Sequence, residues 1–234
     1  MTLTTQQLAE SLDSTNLRLD ASEADIRQLC EEAARERFAC VMIYPASVPL
    51  AATVLAGTGI KIGTVVGFPS GRFNTASKRV EIEQAGKAGA HEVDIVMNYA
   101  ALREGRTAEV LEELKQLTLC SHGLGLLIKV ITENCYLNEA QILTALELCE
   151  EAKVDFIKTS TGFGSAGAKL EHIRLWAKNR RGPIRLKAAG GIKTLSDARA
   201  LIEAGASRLG TSNAAALVAE LRGTAPAAPA SGAY

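Results

Sequence analysis

Short runs rich in Val, Ile, Leu and Phe alternate along the chain with longer stretches whose apolar positions recur at helical spacing. The runs cover 38–43, 60–66, 92–97, 124–131, 154–158, 184–188 and 207–210, with a weaker eighth near Leu12. Continuous apolarity predicts strands covered on both faces, as in a parallel sheet. Between the runs, Ser22 with Asp25, Asn138 with Gln141 and Thr194 with Asp197 have capping-box spacing and mark helix starts. Ile142, Ala145, Leu146 and Cys149 follow i, i+3, i+4, i+7 and form one apolar helix face. Gly89 and Gly205 stand where helices stop.

Eight strand–helix units in 234 residues leave about 29 residues for each, close to the minimum for a crossover with its strand. That economy predicts an α/β fold of one kind, a single (β/α)8 TIM barrel, over an open doubly wound sheet. No linker divides residues 1–222, which are expected to form one barrel domain. Residues 223–234 are a Pro/Ala/Gly-rich segment that cannot bury a core and reads as a flexible tail.

Composition narrows the function. Lys plus Arg number 26 and Asp plus Glu 26, so the net charge is zero, and a nucleic-acid partner held by phosphate neutralisation is not expected. No apolar run approaches a membrane span, and the N-terminus lacks the basic start and apolar stretch of a signal peptide. Five cysteines, none in a Cys-x-x-Cys pair, read as reduced thiols of a cytoplasmic protein. Three scattered histidines form no cluster with metal-ligand spacing, so neither a metal nor a cofactor is expected.

The chemistry-bearing residues are charges inside apolar runs. Asp94 lies between Val93 and Ile95, Lys129 between Ile128 and Val130, and Lys158 ends a strand before Thr159–Gly164. Lys187 precedes Ala188-Ala189-Gly190-Gly191. Aligning 89–94, 153–158 and 205–210 gives Asp94 and Lys158 the same offset on alternate strands, hence similar height in a barrel. A lone lysine there reads as a snorkelling or structurally paired group; three with an aspartate read as an electrostatic site. At pH 7 only about a few in ten thousand ordinary lysine side chains are neutral. Burial and a neighbouring cation lower the pKa, and Lys187 can be that cation for Lys158. A neutral Lys158 can form an imine with a carbonyl, and Asp94 can shuttle the proton, unless it is only the structural partner of Lys129. Gly190-Gly191 and Gly210-Thr211-Ser212-Asn213 fall in the loops after strands seven and eight, where such barrels hold phosphate; ordinary turns with a cap at Ser212 or Asn213 are the alternative.

Tyr44-Pro45, Gly67-Phe68-Pro69-Ser70-Gly71, Glu92–Val96, Lys129–Glu133, Asp155–Gly164 and Lys187–Ile192 together resemble the deoxyribose-phosphate aldolases, over about residues 12–221. The resemblance implies reversible cleavage of 2-deoxy-D-ribose 5-phosphate to acetaldehyde and D-glyceraldehyde 3-phosphate. It implies an imine on Lys158, a pKa-lowering role for Lys187, proton relay by Asp94, and tuning of Asp94 by Lys129. Gly162, Gly190, Gly191, Ser212 and Asn213 would hold the phosphate, with Asp13, Thr15 and Thr161 as supporting residues. The partners implied are small sugar phosphates and aldehydes, and a homodimer is the family-level expectation. Departures fall at Ser14, where a histidine is usual, at Asn213, where a second serine is common, and at Met97-Asn98-Tyr99. Tyr234, the last residue of the tail, is a candidate phenol for the imine. Other imine-forming sugar-phosphate aldolases, a pyridoxal-phosphate barrel, and a binding module without chemistry remain as alternative readings. Ala188-Ala189 favours a small donor.

Overall fold

The computed structural model describes residues 3–224; Tyr234 lies outside them. Eight parallel strands pair in sequence order and close on themselves: β1 (Leu12–Asn16), β2 (Cys40–Ile43), β3 (Lys61–Val66), β4 (Glu92–Val96), β5 (Leu127–Ile131), β6 (Phe156–Lys158), β7 (Arg185–Ala189) and β8 (Ala206–Thr211). Around them run α1 (Thr5–Ala9), α2 (Glu23–Glu36), α3 (Val48–Val54), α4 (Thr75–Ala88), α5 (Tyr99–Arg103), α6 (Thr107–Gly123), α7 (Glu139–Glu151), α8 (Leu170–Asn179), α9 (Leu195–Glu203) and α10 (Ala214–Arg222). This is the predicted (β/α)8 barrel. Asp13 sits opposite Gly210 where β1 meets β8. Among the described residues, no helix is long and apolar enough to cross a membrane.

Local chemistry sets the helix ends. The three predicted capping boxes all form: Ser22, Asn138 and Thr194 each accept from the backbone N–H three residues on, and that residue's side chain reaches back. Gly89 ends α4 in the left-handed region. The apolar run 124–131 yields a strand only from Leu127. Leu124 and Gly125 instead close α6, their N–H groups bonded to Ser121 O and His122 O, and Gly125 has φ +71°.

Strand parity decides where the core lies. Val41, Ile43, Ile62, Val93, Ile95, Ile128, Val130, Ile157, Leu186, Ala188 and Leu209 join the apolar layer between barrel and helices. The alternate positions face inward and include Asp13, Glu92, Asp94, Lys129, Lys158, Lys187 and Arg208. The strands are covered on both faces, as expected, and the inner face carries the charges. Ala188 belongs to the outer layer, so it does not shape the donor pocket; Ala189 faces in.

Candidate active site

Asp94, at the middle of β4, gathers three lysines. Its Oδ1 accepts from Lys129 Nζ at 2.8 Å, and its Oδ2 accepts from both Lys158 Nζ and Lys187 Nζ at 2.7 Å. Register brings them together: Asp94 lies opposite Lys129, and Lys158 opposite Lys187. All four are buried, and only Lys158 keeps a sliver of exposure, 3%. Space for Lys187 comes from Gly210, where a Cβ would sit 3.3 Å from Lys187 Cε and 3.0 Å from Ala189 Cβ. Sequence reasoning left two roles open for Asp94, proton shuttle or structural partner of Lys129; in the structure its carboxylate bonds both Lys129 and Lys158.

Burial is the largest influence on Lys158 and lowers its pKa to about 8. Asp94 opposes that shift, while the cations of Lys187 and then Lys129 add to it. The neighbouring cation thus has the expected direction, but burial outweighs it. Burial alone would raise the Asp94 carboxyl; Lys129, Lys158 and Lys187 together hold it well below the usual carboxylate range. Burial likewise would lower Lys129, yet Asp94, Glu92 and Asp13 hold it above the ordinary lysine value, so it stays a cation.

Beneath this layer lie two residues to which the sequence reading gave no role. Glu92 accepts from Lys129 at 2.6 Å and from Arg208 at 2.9 Å, and Arg208 also pairs with Asp13. Lys187 donates a short bond to Asp13. Both Glu92 and Arg208 stood within predicted strands, but their inward orientation depended on register. Ligand atoms of Asp13, Cys40 and Glu92 converge within 4.8 Å of one another, a grouping that the sequence spacing did not reveal. There the ammonium and guanidinium groups already occupy both carboxylates.

Thr15 and Thr161 are committed to local bonds. Thr15 Oγ1 donates to Asp13 O at 2.9 Å. The Thr161 hydroxyl donates a short bond to Glu133, and its N–H donates to the same carboxylate at 3.2 Å. Phe163 N–H in turn donates to Thr161 Oγ1 at 2.9 Å, which shapes the turn at Gly162. Glu133 is buried with φ +50°, and burial pushes its carboxyl up.

The candidate phosphate residues fall in adjoining loops. Gly162, Gly190 and Gly191 have φ of +93°, +86° and +76°. A Cβ on Gly190 would lie 3.0 Å from Gly167 Cα and 3.5 Å from Gly162 Cα, whereas one on Gly191 would meet open space. Thr211 Oγ1 donates to Ile192 O at 2.8 Å, tying the loop after β7 to the loop after β8. Asn213 is the N-cap of α10 but its side chain makes no capping bond, and Ser212 is exposed. The first amides of α10 are therefore left without a side-chain acceptor from the cap, the state in which a helix N-terminus favours an anion.

A closed parallel barrel with a buried, easily deprotonated lysine at the C-terminal end of a strand has the parts of an imine-forming aldolase. The pattern described as DeoC/LacD family aldolase matches residues 10–223. The chain belongs to that family. The deoxyribose-phosphate aldolase of Carboxydothermus hydrogenoformans is 44% identical over 91% of this chain and 94% of its own length. That of Aciduliprofundum boonei is 42% identical over 92% and 97%. The tetrameric deoxyribose phosphate aldolase of Aeropyrum pernix superposes with a TM-score of 0.88 at 28% identity, over 94% of this chain and 92% of that one.

Proposed function

We propose that the chain is a metal-independent deoxyribose-phosphate aldolase that reversibly cleaves 2-deoxy-D-ribose 5-phosphate to acetaldehyde and D-glyceraldehyde 3-phosphate, in the breakdown of deoxyribose. The observation that carries this reading is the buried Lys158 amine at the end of β6, which shares Asp94 Oδ2 with Lys187. With a pKa near 8, roughly one amine in ten is free at pH 7, against a few in ten thousand for an ordinary lysine. The free amine attacks the C1 aldehyde of the open sugar; loss of water leaves a protonated imine. Loss of the O3 proton lets the C2–C3 bond break, its electron pair moving toward the iminium nitrogen. Glyceraldehyde 3-phosphate departs and an enamine remains. A proton returned to C2 and hydrolysis then release acetaldehyde and restore Lys158.

In this mechanism Asp94 relays protons through a water. Its three lysine partners hold it ionised, so it also stabilises the cationic imine. Lys187 favours the free amine, and Lys129 fixes Asp94 from the far side. Asp13 fixes Lys187, and Thr15 and Thr161 hold the adjoining backbone. Gly162, Gly190, Gly191, Ser212 and Asn213 receive the 5-phosphate on backbone amides. Five free cysteines support a cytoplasmic setting. The tetramer of the Aeropyrum pernix relative supports self-association, with a homodimer as the assembly proposed here; sedimentation measures its size.

The test is cleavage of 2-deoxy-D-ribose 5-phosphate with acetaldehyde and glyceraldehyde 3-phosphate measured separately, with and without a chelator. Equal amounts of both, unaffected by chelation, are expected. Preferential cleavage of fructose 1,6-bisphosphate, or loss of turnover with the chelator, would contradict the proposal.

A further inference from the structure

The ion pairs around Lys158 form one connected set. Asp94 bridges Lys158, Lys187 and Lys129; Lys129 bridges Asp94, Glu92 and, at 3.8 Å, Asp13; Arg208 bridges Glu92 and Asp13; Lys187 closes the ring on Asp13. Apart from Lys158, the set holds three carboxylates (Asp13, Glu92, Asp94) and three cations (Lys129, Lys187, Arg208). The side chains of Asp13, Asp94, Lys129 and Lys187 are fully buried, Glu92 is 5% exposed and Arg208 12%. Water therefore screens these charges poorly, and their sum matters.

We propose that Arg208 and Glu92 are positioning residues for the nucleophile: they complete a balanced buried set of three anions and three cations, in which Lys158 is the surplus cation and its free amine is the neutral state of the whole.

Strand alternation places Arg208 in the set. The β7–β8 pairing carries a register irregularity, Leu186 facing Ala206 but Lys187 facing Arg208, so Ser207 is the extra residue. Beyond it the alternation is regular: Leu209, opposite Ala188, joins the outer apolar layer, and Arg208, opposite Lys187, faces inward as Lys187 does. Three other titratable groups lie near the set and are the same in every variant. Burial holds the Cys40 thiol well above its usual range, so it stays neutral. Arg185 lies over the Phe156 ring at 4.0 Å and is exposed. The Glu133 carboxyl faces Lys158 from the loop after β5 and is held by Thr161; it stands outside the ion-paired set and is the same in every variant, so it moves the starting point but not the sign of each change.

The sign of each substitution follows. Removing the charge of Arg208 leaves one carboxylate in excess, and protonating Lys158 would restore balance; removing that of Glu92 leaves a cation in excess and disfavours the ammonium. This inference rests on the reading of Lys158 as the nucleophile, so its test reads the amine directly rather than turnover. Trace acetic anhydride labels the full chain at a series of pH values, and mass mapping of the peptide carrying Lys158 gives the midpoint of its reactivity. Arg208→Gln should raise that midpoint by about one pH unit and Glu92→Gln lower it by about as much. The double variant should return it to the wild-type value, and Arg208→Lys should leave it in place. Single variants that leave the midpoint unmoved, or that shift it in the same direction, would overturn the proposal. If Arg208→Gln fails to fold, Glu92→Gln and Arg208→Lys still decide, because a structural role alone predicts no downward shift. Wild-type trapping with acetaldehyde and borohydride is run alongside. Absence of an adduct there would count against the aldolase reading, while the midpoints judge this one.

Discussion

Lys158 is where function costs stability. Its folded pKa, near 8, lies below the roughly 10.4 of an unfolded lysine, so the unfolded state binds more protons between those values. Stability is therefore reduced below about pH 8 and regained as pH rises toward 10.4. Lys158→Met removes the penalty and leaves Asp94 bonded to Lys129 and Lys187. We expect that variant to be inactive yet more stable at pH 7, by about 1–3 kcal/mol in denaturant unfolding, with the gap closing at high pH. A variant less stable than wild type at pH 7 would contradict the account. Lys187→Leu should act in the other direction on the nucleophile. With that cation gone the Lys158 pKa rises, and the acid limb of kcat/KM moves to higher pH; an unchanged profile would show that burial alone sets the amine.

At the scale of elements, the loops after β6, β7 and β8 are the parts most sensitive to small changes. Gly190 has φ +86°, and Gly167 and Gly162 crowd the position a Cβ would take. Gly190→Ala should raise KM for the phosphorylated sugar at least about tenfold by shifting the loop, while the Lys158 midpoint stays put. Ser212→Asp should raise KM for 2-deoxy-D-ribose 5-phosphate and spare unphosphorylated deoxyribose, since only the phosphate meets the added charge. Equal effects on both sugars would place the phosphate elsewhere. These elements also show how much the sequence disclosed. Capping boxes and a strand-ending Lys158 are local signals, so α2, α7, α9 and the end of β6 were legible; the shared offset of Asp94 and Lys158 gave only similar height, and the structure supplies their contact. Arg208 was not legible, because its partners Asp13 and Glu92 lie 195 and 116 residues away and meet it only when the barrel closes. Glu92 and Glu133 were hidden for a related reason. A carboxylate in a strand or loop shows its role only when the partner, 116 residues away in one case and 28 in the other, is brought beside it.

Across the whole molecule, an apolar outer layer supports a charged interior. Burial by itself would raise the Asp13 carboxyl, but Arg208, Lys187 and Lys129 hold it well below its usual range, as the lysines do for Asp94. Such depressed carboxyls add stability that is fully present above the unfolded value, about pH 3.9, and is lost as pH falls through the folded one. Acid unfolding should therefore be steep below about pH 4, and Asp13→Asn should flatten it; an acid profile unaffected by that change would remove the interior network from the stability of the barrel.

The central claim is that the Lys158 amine is the nucleophile. Acetaldehyde and borohydride added together to the full chain, followed by peptide mapping, test it most directly. The account predicts one ethyl group, on the peptide carrying Lys158, absent from Lys158→Ala. A stable adduct on another lysine, or none with an active preparation, would contradict it.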